Sequence, residues 1–174
     1  QGTGLNSAPT DITLSNSSLA ENAGANATVG TLSTTDADSG DTHSYALVVG
    51  AGSTDNTAFN ISGASLRLTA SADFETQSSY SVRVQTSDGN GGSFAEPVTI
   101  TVANVNEVPS FTKGADQSHP GLTTAAQTFA GWATAINDGD STVTQSLTFN
   151  VSNNNNALFT TQPSIASNGT LSYT

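Results

Sequence analysis

Cysteine and methionine are both absent, and positive charge is nearly so: Arg67, Arg83 and Lys113 are the only Lys or Arg residues in a chain of 174. Without cysteine there is neither a disulfide framework nor a thiolate metal site, so any metal must be held by oxygen or by the two isolated histidines, His43 and His119. With 14 acids against those three cations the formal charge is −11, which repels phosphate and argues against a nucleic-acid partner. No stretch approaches the roughly 18 consecutive apolar residues of a membrane span, and the N-terminus lacks the basic-then-apolar layout of a signal peptide. A piece of a longer secreted protein is the expectation. Aromatic residues are sparse, and the single Trp132 is more readily a core residue than a sugar-stacking platform.

What is present is serine, threonine, small apolar residues and short acidic clusters: Asp36-Ala37-Asp38, Asp73-Phe74-Glu75 and Asn104-Val105-Asn106-Glu107. Carboxylates gathered without Lys or Arg repel one another, and a hard divalent cation with oxygen ligands, calcium before magnesium, relieves that repulsion. Charged residues make up only 10% of the chain, so it is no disordered acidic tail and is expected to fold. Asp36-Ala37-Asp38-Ser39-Gly40-Asp41 is not an EF-hand loop, because its Gly and Asp are in the wrong order and Leu47 sits where the closing Glu belongs. Asp88-Gly89-Asn90-Gly91-Gly92 occurs once, so it is not the repeating nonapeptide of a calcium-binding β-roll. There is no Gly-x-Ser-x-Gly, the histidines are isolated, and the carboxylates read better as ligands than as a glycosidase pair; no enzyme is expected.

A linker-like segment occurs twice, Asn6-Ser7-Ala8-Pro9 and, one hundred residues later, Asn106-Glu107-Val108-Pro109. That is a usual size for a β-sandwich unit. Between them Tyr80, Val82 and Val84 alternate with Ser81, Arg83 and Gln85, and Val98, Ile100 and Val102 alternate with Thr99, Thr101 and Ala103, the period of half-buried strands. Residues 28–33, 43–49, 58–61 and 65–69 are further strand candidates, separated by turn clusters. The predicted fold class is all-β, with tandem antiparallel Greek-key sandwiches. Residues 1–8 read as a tail or linker from a preceding module, 9–105 as a first sandwich, 106–109 as a cation-binding linker and 110–174 as an incomplete second sandwich. In the second, Leu147–Val151 and Leu171–Tyr173 are the clearest strands, and its missing strands leave an edge open.

In order, Ala20-Glu21-Asn22, Asp36-Ala37-Asp38, Asp73-Phe74-Glu75, Asp88-Gly89 and Asn104-Val105-Asn106-Glu107-Val108-Pro109 resemble the calcium motifs of a cadherin repeat, as found in bacterial surface proteins. Residues 110–174 resemble a truncated bacterial immunoglobulin-like repeat. The resemblance implies that Glu21, Asp73, Glu75, Asn106 and Glu107, with main-chain carbonyls near Val105 and Val108, bind Ca2+ together with Asp138 and Asp140 of the next module. It places Asp36, Asp38 and Asp88 at the opposite end of the first module, as a poor half-site lacking its partner. Alternation along a strand is expected to turn Asp73 and Glu75 to one side and Phe74 to the core. The linker departs from the family pattern Asp-x-Asn-Asp-Asn-x-Pro at Asn104, Glu107 and Val108 and is one residue short. The second module has His119-Pro120-Gly121 where a Glu-Asn element belongs.

The implied function is a calcium-dependent structural extender or adhesion module, extracellular, whose partners are neighbouring modules and a glycan or protein at a cell surface. Two alternatives are open: a carbohydrate-binding accessory module using Tyr45, Tyr80 or Trp132, and a module assembling with copies of itself by strand exchange.

Overall fold

A computed structural model describes residues 5–119, 124–140 and 144–174; Pro120 and Gly121 lie outside these. The chain divides into two compact units, Gln1–Val105 and Asn106–Thr174.

Unit 1 is a two-sheet sandwich. Strands β1 (Asp11–Leu14), β3 (Thr28–Thr35), β5 (Phe59–Ser62) and β6 (Ser65–Leu68) form one sheet in the order β1-β3-β6-β5; β2 (Ser18–Ala20), β4 (Ser44–Leu47), β7 (Ser79–Ser87) and β8 (Ser93–Ala103) form the other, ordered β2-β8-β7-β4. All pairings are antiparallel except β2 with β8, where Ser18–Ala20 run parallel to Thr101–Ala103. That one parallel contact departs from the purely antiparallel expectation.

The alternation in sequence becomes alternation in burial. Val82 and Val84 of β7 and Ile100 of β8 are fully buried, and they meet Leu66 and Leu68 of β6, Leu32 of β3 and Phe59 of β5 to make one core between the sheets. Tyr80 joins it edge-on to Phe59, with ring centroids 5.4 Å apart. One polar group also lies inside: Thr86 is fully buried, with its hydroxyl 2.7 Å from that of Thr34 on the facing sheet, and Thr34 donates to the Tyr45 hydroxyl at 3.0 Å. A hydroxyl has one proton, so Thr86 donates to Thr34, and the three form a directed chain between the sheets.

Unit 2 has a two-stranded sheet of β9 (Ser110–Lys113) and β11 (Ala133–Asn137), and a three-stranded one of β10 (Gln127–Phe129), β13 (Leu171–Tyr173) and β12 (Ser164–Ile165). Its buried apolar residues among those described are Ala133 and Leu171, supplemented by a partly exposed aromatic group in which Tyr173 contacts Phe129 and Phe159. Leu171–Tyr173 is a strand as expected. Leu147–Val151 is not: the segment shows alternating burial, but it joins no ladder among the described residues. Periodicity records which side chains face inward, whereas a strand also needs a partner backbone, and none is paired with this segment among the described residues.

Candidate cation-binding loops

At one end of unit 1 three loops converge: residues 36–41 after β3, residues 88–92 between β7 and β8, and Asn6-Ser7 ahead of β1. Asp36, Asp38 and Asp41 each offer a carboxylate oxygen within 4.8 Å of the others. Asp88 is 1% exposed, although it is charged and carries no Lys or Arg partner. The main chain holds these acids in place. Asp36 accepts from the Asp38 amide at 3.0 Å, Asp38 from the Ser7 amide at 2.7 Å, and Asp88 from the Asn90 and Gly92 amides at 2.8 and 2.9 Å. Side chains complete the set: Asn6 Nδ2 donates to Asp88 at 2.9 Å, Asn90 Nδ2 to Asp41 at 2.9 Å, and His43 Nε2 lies 2.9 Å from Asp36. Gly92 is required here, because a Cβ on it would stand 2.2 Å from Asp88 Oδ2 and 2.8 Å from Ala8 Cα.

These donors set the electrostatics. The Asp38 amide, then His43, hold the Asp36 carboxyl below its ordinary range against the opposing effect of burial. Asp88 is lowered in the same way, first by the Asn6 amide and then by main-chain N–H groups. Both groups are therefore anionic at neutral pH. One oxygen is left over: Asp41 Oδ2 is buried without a hydrogen-bond partner among the described residues. A buried carboxylate oxygen left without a donor is costly in water-excluding surroundings, and a hard cation is a partner that satisfies it.

The opposite end of unit 1 gathers Glu21, Asp73, Glu75, Asn104 and Val105. Glu21 follows β2 and is 3% exposed; its two oxygens accept from the Phe74 amide at 2.9 Å and the Val105 amide at 2.7 Å. Each oxygen has a second lone pair, so one carboxylate both ties the Asp73–Glu75 turn to the chain leaving β8 and keeps acceptor capacity. Glu75 offers an oxygen within 4.8 Å of one from Glu21, and Asn104 Nδ2 approaches Glu75 at 3.4 Å. Residues 74–76 form a turn, not the expected strand, closed by the Thr76 amide donating to Asp73 at 3.0 Å. The sidedness holds for a different reason: the turn presses Phe74 against the core and leaves Asp73 and Glu75 exposed.

In unit 2, Asp138-Gly139-Asp140 packs against its own N-terminal segment. A Cβ on Gly139, whose φ is +89°, would meet the Val108 carbonyl at 2.8 Å and Glu107 at 3.0 Å, so only glycine allows this approach. Asp140 is 6% exposed, Asp138 accepts from the Gln145 amide at 2.8 Å, and the Gln145 side chain reaches Asn106. Asn106, Glu107, Val108, Asp138 and Asp140 thus lie together within this unit.

The residues outside the motifs have plain structural partners. Asp55 accepts from the Ser81 amide at 2.7 Å, Glu96 from the Ile12 amide at 3.2 Å, and Asp116 pairs with exposed Lys113. Motif reading missed Asn6, Asp41, His43 and Asn90 at the first cluster and Gln145 in unit 2. Asp41 was detectable, since it closes the loop that Asp36 opens; the others come from distant positions that only folding brings in. Tyr45 and Tyr80 are partly buried against the core of unit 1, and Trp132 donates its indole N–H to the Ala115 carbonyl at 2.9 Å.

No family model matches the chain, and no curated protein matches it. Among solved structures, human protocadherin-24 EC1-2 aligns over 97% of this chain and 78% of its own, with a TM-score of 0.58 and 19% identity. A second crystal form of it gives 0.51 and 21% over 61% of this chain, which there spans half the length of that protein. Likeness at this identity shows a cadherin-like sandwich fold.

Proposed function

We propose that this chain is a calcium-dependent, non-enzymatic extender or adhesion segment of a secreted or cell-surface bacterial protein. The observation carrying the reading is the end of unit 1 where Asp36, Asp38, Asp41 and Asp88 converge, with one buried oxygen unpartnered among the described residues and no Lys or Arg among them. The donor set is all oxygen, as Ca2+ takes, with six to eight ligands as its usual demand. Those four acids, with the side-chain carbonyl of Asn6, would hold an ion at that end. Glu21, Asp73 and Glu75 of unit 1, and Asn106, Glu107, Val108, Asp138 and Asp140 of unit 2, would offer further oxygen ligands to ions. Bound calcium supplies neutralisation of the clustered acids.

The chain's own part is mechanical. Main-chain amides pre-orient each carboxylate, and the ligands come from segments far apart in sequence, so a shared ion ties Asn6 to the loops after β3 and β7. Modules joined in this way resist bending by the linker and stand out from a surface. Because the unfolded chain offers no such convergence, an ion at a hundredfold excess over its dissociation constant adds about 2.7 kcal/mol to stability. Isothermal calorimetry with CaCl2, and melting with and without chelator, test this. Saturable heat and a higher melting temperature in calcium support it; neither response overturns it, and an equal response after Asp36→Asn with Asp38→Asn removes the ion from that end of unit 1.

A further inference from the structure

The turn joining β7 to β8 contains Asn90-Gly91, one of two Asn-Gly pairs in the chain; Asn168-Gly169, between β12 and β13, is the other. Glycine after asparagine favours loss of the side-chain amide, because no Cβ keeps the glycine nitrogen away from the preceding carboxamide. How the fold holds that nitrogen decides whether the reaction runs, and the two pairs are held differently. Asn90 and Gly91 are both exposed, and Gly91, at φ +106°, has open space where a Cβ would stand. Its N–H turns toward Asp88 behind those of Asn90 and Gly92, which hold that carboxylate at 2.8 and 2.9 Å.

At the second pair the groups are tied. The Gly169 amide donates to the Ala166 carbonyl at 2.8 Å, the Gly169 carbonyl accepts from the Ala133 amide at 2.9 Å, and Asn168 Oδ1 accepts from the Thr170 amide at 3.1 Å. A Cβ on Gly169 would lie 1.9 Å from the Ala133 carbonyl oxygen, so the backbone there has no room to turn. Asn90 differs in a second respect. Its Nδ2 donates to Asp41 Oδ1 at 2.9 Å, and among the described residues Asp41 Oδ2 is buried with no donor at all.

We infer that Asn90-Gly91 is a site of spontaneous deamidation, which sets a further carboxylate among Asp36, Asp38, Asp41 and Asp88. The Gly91 nitrogen attacks Asn90 Cγ and gives its proton to water; the new N–C bond closes a cyclic imide while the Cγ–Nδ2 bond breaks and ammonia leaves. Water then opens the imide at either carbonyl, giving an aspartyl or an isoaspartyl residue. In sum an amide and a water become a carboxylate and an ammonium ion, with nothing oxidised or reduced. Either product replaces the donor on Asp41 by an acceptor, so like charges stand where a hydrogen bond was. The isoaspartyl form also adds a main-chain carbon between Asp88 and Gly92, across the span that the Gly92 amide closes. This end of unit 1 therefore loses stability without calcium, and a cation restores a partner to the added carboxylate; that last step rests on the calcium reading.

Ageing the whole chain in chelator at mildly alkaline pH, with peptide mapping by mass spectrometry, tests the site. The expected result is a gain of one mass unit at the Asn90 peptide, about tenfold or more faster than at Asn168. In urea, where the fold holds neither pair, the two rates draw together. Carboxyl methylation of the aged chain by an isoaspartyl methyltransferase marks the second product at the same peptide. Asn90→Gln, whose longer side chain closes the imide far more slowly, keeps an amide for Asp41 and removes the mass gain. Asn90→Asp supplies the aspartyl product directly: its melting midpoint should lie below that of the original chain in chelator, with the deficit narrowed by CaCl2. Equal rates at Asn90 and Asn168 in the folded chain overturn the inference, as does a ratio that urea leaves unchanged. So does an Asn90→Asp chain as stable as the original in chelator. If neither chain responds to CaCl2, the calcium reading falls and the modification stands.

Discussion

Unit 1 buries Val82, Val84, Leu66 and Ile100 completely, whereas the buried apolar residues of unit 2 among those described are Ala133 and Leu171. The two differ in closure more than in composition. Unit 1 has two four-stranded sheets whose inward faces cover each other; among the described residues unit 2 has a two-stranded and a three-stranded sheet, with a cavity lined by Phe111, Trp132, Leu147 and Phe149. A sandwich gains its stability from the mutual covering of two sheets, so the first is a robust body and the second a marginal one.

The largest test of that contrast is a cavity in the first core. Leu66→Ala is expected to cost unit 1 about 2 to 5 kcal/mol. Because the only tryptophan lies in unit 2 and most of the strand content in unit 1, fluorescence and far-UV circular dichroism follow the units separately in urea. The dichroism midpoint falls and the Trp132 midpoint stays. Movement of both together would show that the units unfold as one.

Next in size is the hydroxyl chain between the sheets. Thr86→Val keeps the shape but leaves Thr34 without its donor, and Thr86 has no access to water; a loss of about 1 to 3 kcal/mol from unit 1 is expected. Tyr45→Phe removes only the terminal acceptor and should cost less. If Thr86→Val is neutral, the chain of hydroxyls contributes nothing to sheet packing. A comparable loss is expected from Gly92→Ala, whose new methyl must displace Asp88 or Ala8, and that loss should shrink when calcium is added only if the ion can still draw Asp88 into place.

How far these features were legible in the sequence depends on range. The strands of unit 1 followed from alternation, because Val82, Val84, Ile100 and Val102 record a half-buried surface that any partner sheet imposes. The pairing of β2 with β8 did not, since a parallel contact of three residues leaves no periodic trace. For the acids, Asp36, Asp38 and Asp88 were marked by motif, yet the convergence of Asn6, Asp41, His43 and Asn90 on them depends on loop geometry. In unit 2 the alternation through Leu147 and Phe149 was read correctly as sidedness and incorrectly as a ladder, because a single chain's pattern is silent about whether a neighbour exists.

The smallest expected effect separates the units by acid. Asp36 and Asp88 have folded-state pKa values below their unfolded ones, so their contribution to unit 1 is complete above the unfolded value, about 3.9, and is lost as pH falls from there through the folded values. In calcium-free buffer the dichroism midpoint should be level above about pH 5 and decline below about pH 4. Asp116 of unit 2 is lowered too, first by its hydrogen bond to Lys113, but that pair is exposed and screened, so neutralising it leaves the Trp132 midpoint unmoved. Calcium should shift the decline of unit 1 acidward, because a bound cation holds its carboxylates ionised to lower pH. If the two midpoints fall in parallel in acid, the depressed carboxyls are not what distinguishes the units, and the electrostatic order at the Asp36–Asp88 end is ornamental to its stability.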